Sequence, residues 1–162
     1  MKLYFVRHAT AEKTSAWDED DDLRPLTRTG RTRFRTAAKA LVAAGVLAPD
    51  RILTSPLVRA VQTAGILNQT VGGNVPVEEV ESLGHGFGLD DLRELLGVAA
   101  DVDSLAIVGH NPGMREVLQS LTGGCELDVR KGAIALVEIT DTETPAGRLL
   151  WLAPPTLFRP CP

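Results

Sequence analysis

The sequence predicts an α/β fold, a three-layer α/β/α sandwich around a mainly parallel central sheet. Three observations carry that expectation. Short apolar runs alternate with stretches of helical spacing along most of the chain. The last two apolar runs follow one another with no helix between them, so antiparallel pairing is expected only near the C-terminus. At 162 residues and 44% hydrophobic, the chain suffices for one compact domain but not comfortably for two, and residues 1–162 are expected to form a single domain.

Taken in order, KLYFV at 2–6 is the first strand, and it ends at once on Arg7 and His8. The acidic WDEDDD stretch at 17–22 reads as a solvated turn, or as a border of a site that favours basic surfaces. A helix follows over Thr27–Ala44, capped by Thr27 and stopped by Gly45. RILTS at 51–55 is the second strand, succeeded by a helix over Leu57–Asn68, and VPVEEV at 75–80 is the third. After the glycine-rich GHGFG loop at 84–88 come a helix over Leu89–Leu96 and the fully apolar strand SLAIVG at 104–109. The next helix spans Met114–Leu121, with Pro112 near its first position, where a missing N–H costs nothing. AIALVEI at 133–139 and RLLWLA at 148–153 complete the sheet.

Composition excludes several classes of function. A net charge of −4 offers no broad basic face for nucleic acid. No apolar run approaches the ~18 residues of a membrane span, and the apolar run before Arg7 is only four residues long, too short for the core of a signal peptide. The expected compartment is therefore the cytoplasm, with no membrane partner. Cys125 and Cys161 have neither CxxC spacing nor a dense framework, and both read as ordinary thiols.

In an open parallel sheet, ligands bind beyond the carboxyl ends of the strands, where the loops converge. Three separate strand ends here deliver Arg7 and His8, Ser55 to Arg59, and His110 to Pro112. Two guanidiniums and two imidazoles meeting beside helix N-termini suit a phosphoryl group, because the planar guanidinium fork matches a tetrahedral oxyanion. The chain has no GxxxxGK[ST] loop, no HExxH and no CxxxxxR cradle, and its three histidines are the candidates for a nucleophile. Of His8, His85 and His110, His8 is favoured, since it sits on a rigid strand end beside Arg7, and nearby arginines hold its imidazole neutral. Two other readings stay open. Each residue taken singly could be a solvated or structural charge, and two histidines with a carboxylate could hold zinc, although flanking arginines repel a cation.

VRHAT (6–10), SPLVRAVQTA (55–64) and VGHNP (108–112), in that order, resemble the histidine phosphatase superfamily, the phosphoglycerate-mutase-like enzymes. DDLRPLTRTG (21–30) and the short length resemble its SixA-type phosphohistidine phosphatases. The resemblance implies a phosphoglycerate-mutase-like fold and a phosphatase that needs no cofactor and no metal. His8 would be transiently phosphorylated, Arg7, Arg59 and His110 would bind the phosphoryl group, and Arg24 would approach the mouth. The usual RHG is RHA here, with Ala9, and Ser82 stands where the family's glutamate general acid aligns, which leaves Glu79 or Glu81 to substitute. The implied substrate is a phosphohistidine-containing protein; a small-molecule phosphate ester, or phosphate held without turnover, are the alternatives. Phosphohistidine is preferred because a ring-protonated phosphoramidate leaves as neutral imidazole with less help from an acid. The connections are also too short to build a lid over a small metabolite.

Overall fold

The computed structural model describes residues 1–158; Cys161, read above as an ordinary thiol, lies outside them. The six strands are β1 (Lys2–Arg7), β2 (Arg51–Thr54), β3 (Val77–Glu79), β4 (Ser104–Gly109), β5 (Ile134–Asp141) and β6 (Ala146–Ala153). Four helices accompany them: α1 (Arg28–Ala43), α2 (Val58–Thr70), α3 (Leu89–Val98) and α4 (Gly113–Leu121). The strands form one sheet in the order β3-β2-β4-β1-β5-β6. The pairs β1/β4, β2/β4 and β2/β3 are parallel, whereas β5 lies antiparallel between β1 and β6.

Period-two alternation divides the core between the two faces of the sheet. Leu3 and Phe5 of β1 join Leu53, Leu105 and Ile107 on the face covered by Leu92, Leu96 and Val117 of α3 and α4. Tyr4 and Val6 point the other way and join Ile52, Ala106 and Val108 beneath Phe34, Ala38, Ala60 and Leu67 of α1 and α2. β4 is buried along its whole length because it is central and covered on both sides. A fully buried side chain such as Phe5 or Leu105 contributes roughly 1.5–3 kcal/mol by leaving water.

The strand read at 75–80 shrinks to β3, whose three residues are all exposed. Two local causes act at the sheet edge: Pro76 has no N–H for a ladder, and the Val75 N–H is taken by Asn68 Oδ1 at 3.2 Å. β6 begins two residues earlier than its apolar run. There the Asp141 carboxylate accepts the N–H groups of Glu143 and Thr144 and closes a hairpin that extends the pairing to Ala146.

The start of α1 is tied to the chain leaving β1. Thr27 Oγ1 accepts the Gly30 N–H at 2.9 Å, as expected for an N-cap, while the Thr27 N–H and hydroxyl both donate to Thr10 O. A Cβ at Gly30 would overlap that same carbonyl, so only glycine lets the helix approach this closely.

Candidate active site

The site forms where the parallel strands end. Arg7 closes β1, and the next residue, His8, donates its backbone N–H to Gly109 O at the end of β4. His8 is 6% exposed and His110 8%. Their rings stand with centroids 5.0 Å apart. The His8 Nδ1–H donates to Ala9 O at 2.7 Å; a carbonyl can only accept, so Nε2 carries the free lone pair.

A second set of bonds fixes His110. Ser55, directly after β2, accepts the Leu57 N–H at 3.3 Å and lies 2.8 Å from His110 Nε2. The hydroxyl keeps its hydrogen and a second lone pair; in the tautomer where that hydrogen goes to Nε2, the proton of His110 sits on Nδ1. That Nδ1 is buried without a partner among the described residues, and so are Arg7 Nε and Arg59 Nε. Two buried guanidinium N–H groups without acceptors, beside an unpartnered imidazole nitrogen, describe an anion site.

Electrostatics agree with the geometry. Burial, the neighbouring His110, Arg59 and Arg7 together push His8 down to about 3, against the pull of its bond to Ala9 O. Burial first, then Arg59 and His85, lowers His110 to about 4. Both rings are neutral at pH 7, so one offers a lone pair and the other an N–H. Burial also lowers Arg7 and Arg59 from their ordinary range, though a guanidinium stays charged.

The acidic stretch is part of this edge. Its turn, Asp21–Leu23, lies over Arg59: Arg59 Nη1 donates to Asp21 O at 2.7 Å and Nη2 stands 3.1 Å from Asp21 Oδ2. Arg24 bonds the other Asp21 oxygen at 2.8 Å and Glu12 O at 2.7 Å. Its bond, with Arg59 behind it, holds the Asp21 carboxyl below the usual range. The neighbouring Asp22 reaches His85 Nε2 at 3.2 Å. Arg24 therefore borders the site through Asp21.

The structure thus brings Arg7, His8, Arg59 and His110 to one edge, with Arg24 one carboxylate away. Glu79 and Glu81 are exposed there, and neither side chain has a hydrogen bond or ion pair among the described residues. Lys131 escaped the sequence reading, which places Ser55 only at a strand end, Asp21 only within the bordering acidic stretch and His85 only as a histidine passed over as nucleophile. Lys131 lines a cavity of about 340 Å³ together with Arg7, Thr10, Arg33 and Phe34. Burial and then the field of Arg7, Arg24 and Arg59 lower its pKa. Among the described residues, no group of three or more His, Cys, Asp or Glu side chains could hold a metal ion.

A family model described as histidine phosphatase superfamily (branch 1) matches residues 3–87. An uncharacterized protein of Picosynechococcus sp. is 37% identical over 139 residues, covering 83% of this chain and 82% of that protein. Among solved structures, the protein histidine phosphatase SixA complexed with tungstate superposes with a TM-score of 0.86 at 24% identity, covering 98% of this chain and 100% of that one. The alpha-ribazole phosphatase of Shigella flexneri superposes with a TM-score of 0.72 at 16% identity, over 93% and 96% of the two chains. The fold expected from the strand and helix order is the one these structures share.

Proposed function

The chain belongs to branch 1 of the histidine phosphatase superfamily, and from that premise we propose that it removes phosphoryl groups from phosphohistidine on proteins through a phospho-His8 intermediate. The coarser activity, that of a histidine-type phosphatase, follows from the family. The observation that carries the mechanism is the free lone pair on His8 Nε2, fixed by the bond to Ala9 O beside the unpartnered Nε atoms of Arg7 and Arg59. In the first step Nε2 attacks phosphorus in line and the bond to the leaving group breaks. Arg7, Arg59 and the Nδ1–H of His110 hold the equatorial oxygens while charge redistributes over them. In the second, water attacks phosphorus and the electron pair of the P–N bond returns to Nε2. Residues 1–162 act in this proposal as one catalytic domain of the cytoplasm that needs no cofactor.

Two features support phosphohistidine. The carboxylates considered as general acids, Glu79 and Glu81, are exposed and unengaged, which favours a leaving group that departs as neutral imidazole. Among the described residues no inserted domain covers the mouth, where His85 is exposed. A small-molecule ester is the second reading, favoured by the fold shared with an alpha-ribazole phosphatase.

The test is turnover of a phosphohistidine peptide beside sugar and nucleoside phosphates, with trapping of an acid-labile, alkali-stable adduct. The expected outcome is higher kcat/KM on the peptide, with adduct and turnover both lost in His8→Ala. Faster turnover of the esters would establish the second reading, and full activity in His8→Ala would remove the mechanism.

A further inference from the structure

An ester substrate would need a proton for its leaving group, and the residues assembled so far do not supply one. His8 and His110 are neutral, and Arg7 and Arg59 keep their protons. Glu79 and Glu81 stand there without partners among the described residues, whereas one imidazole at the mouth is engaged on both sides. The His85 ring stacks on His110, with centroids 6.4 Å apart and planes 20° from parallel, and His110 in turn stands 5.0 Å from His8. The three imidazoles step outward from buried His8 to exposed His85. In-line displacement sends the leaving atom away from the buried nucleophile.

His85 is placed there by its loop and by one contact across the mouth. Gly84 and Gly86 flank it in the loop before α3, and Gly86 takes a φ of 85°, open to glycine at little cost. Across the mouth, Asp22 Oδ1 lies 3.2 Å from His85 Nε2. The turn that carries Asp22 is itself fixed, by the Asp20 carboxylate on the Asp22 N–H and by Asp21 on Arg24 and Arg59. A carboxylate accepts, so Nε2 keeps its hydrogen and Nδ1 is the atom left to give or take a proton.

We propose that His85, oriented by Asp22, is the general acid of the first step and the general base of the second, a role that rests on the phospho-His8 mechanism above. As His8 Nε2 bonds to phosphorus, the bond from phosphorus to the leaving atom breaks and its electron pair stays on that atom. The leaving atom takes the Nδ1 proton of the His85 imidazolium, and His85 remains neutral with Nε2–H on Asp22. In the second step, Nδ1 takes a proton from the attacking water while the P–N bond breaks and its pair returns to His8. Each cycle consumes one water and restores both rings. The assignment makes unactivated esters chemically accessible, and the preference for phosphohistidine then rests on the open mouth.

The discriminating experiment is a leaving-group series. Wild type, His85→Gln, Asp22→Asn and Glu81→Gln are compared by kcat/KM on p-nitrophenyl, phenyl and alkyl phosphates, with inhibition by vanadate as a measure of pocket integrity. A positioned general acid contributes ~10²–10⁴-fold, so His85→Gln should lose about 100-fold on the alkyl ester. Its loss on the p-nitrophenyl ester should be at least about tenfold smaller, because nitrophenolate leaves without a proton. Asp22→Asn should follow the same order with smaller losses, Glu81→Gln should show no such trend, and vanadate inhibition should be retained. A uniform loss across the series, no loss, or a leaving-group trend in Glu81→Gln in place of His85→Gln would overturn the proposal alone. A wild-type protein that forms no phosphoenzyme and hydrolyses none of the three esters would overturn the mechanism beneath it as well.

Discussion

At His110 the nitrogen that faces the anion site is coupled to a neighbour's hydroxyl. Ser55 takes one hydrogen bond from the Leu57 N–H and stands 2.8 Å from Nε2, and when it gives its hydrogen there the proton of His110 sits on Nδ1. Ser55→Ala removes that coupling without touching the nucleophile. One lost hydrogen bond is worth about 1 kcal/mol, so kcat should fall roughly 5- to 10-fold while the phospho-His8 adduct still forms; unchanged kinetics would show that the tautomer needs no guide. A second expectation concerns protons. His8 near 3 and His110 near 4 both lie below the ordinary 6.5. As pH falls through 6.5, the unfolded chain takes up protons that the folded rings refuse, so stability is present above that value and is lost progressively toward the folded ones. Thermal melts should show Tm falling between about pH 7 and about pH 4.5, less steeply in His8→Asn. Equal slopes for the two proteins would show that His8 is not held neutral by the fold.

The element that positions the most chemistry is the connection between β1 and α1. It leaves His8, contributes the turn that meets Arg59 and His85, and is pinned where Thr27 and Gly30 meet Thr10 O. Gly30→Ala would drive a methyl group into that carbonyl, and overpacking of this kind costs ~1–3 kcal/mol. The displaced segment also carries the turn, so the variant should lose both Tm and affinity for tungstate. Loss of Tm with unchanged tungstate binding would mean that the turn is anchored independently of α1. The expected boundaries of α1 and α4 held to within a residue, because an N-cap threonine and an apolar helical period are local properties. β3 did not follow its apolar run, because strand length at an edge depends on which ladder partners and competing acceptors the neighbours provide.

For the molecule as a whole, an acidic chain with a net charge of −4 keeps a cationic point at one sheet edge. Arginines gathered there repel a metal ion, and no suitable group of ligands stands elsewhere among the described residues. Dialysis against a chelator should therefore leave turnover unchanged; activity lost on chelation and restored by zinc would replace the phosphohistidine mechanism with metal hydrolysis. The sequence by itself determined the layer order, the mainly parallel sheet and the strand ends that carry Arg7, His8, Arg59 and His110, since hydrophobic period and the residue just past a strand are written locally. Glu79 and Glu81, singled out by their alignment near a loop, have no hydrogen-bond or ion-pair partner among the described residues. Only the tertiary structure decided that Asp21 meets Arg59, that Ser55 meets His110, and that Asp22 holds His85 against the same pocket. Those pairs are 38, 55 and 63 residues apart in the chain. No local pattern encodes such contacts; they exist because the sheet order brings the ends of β1, β2 and β4 side by side and the loops close over them.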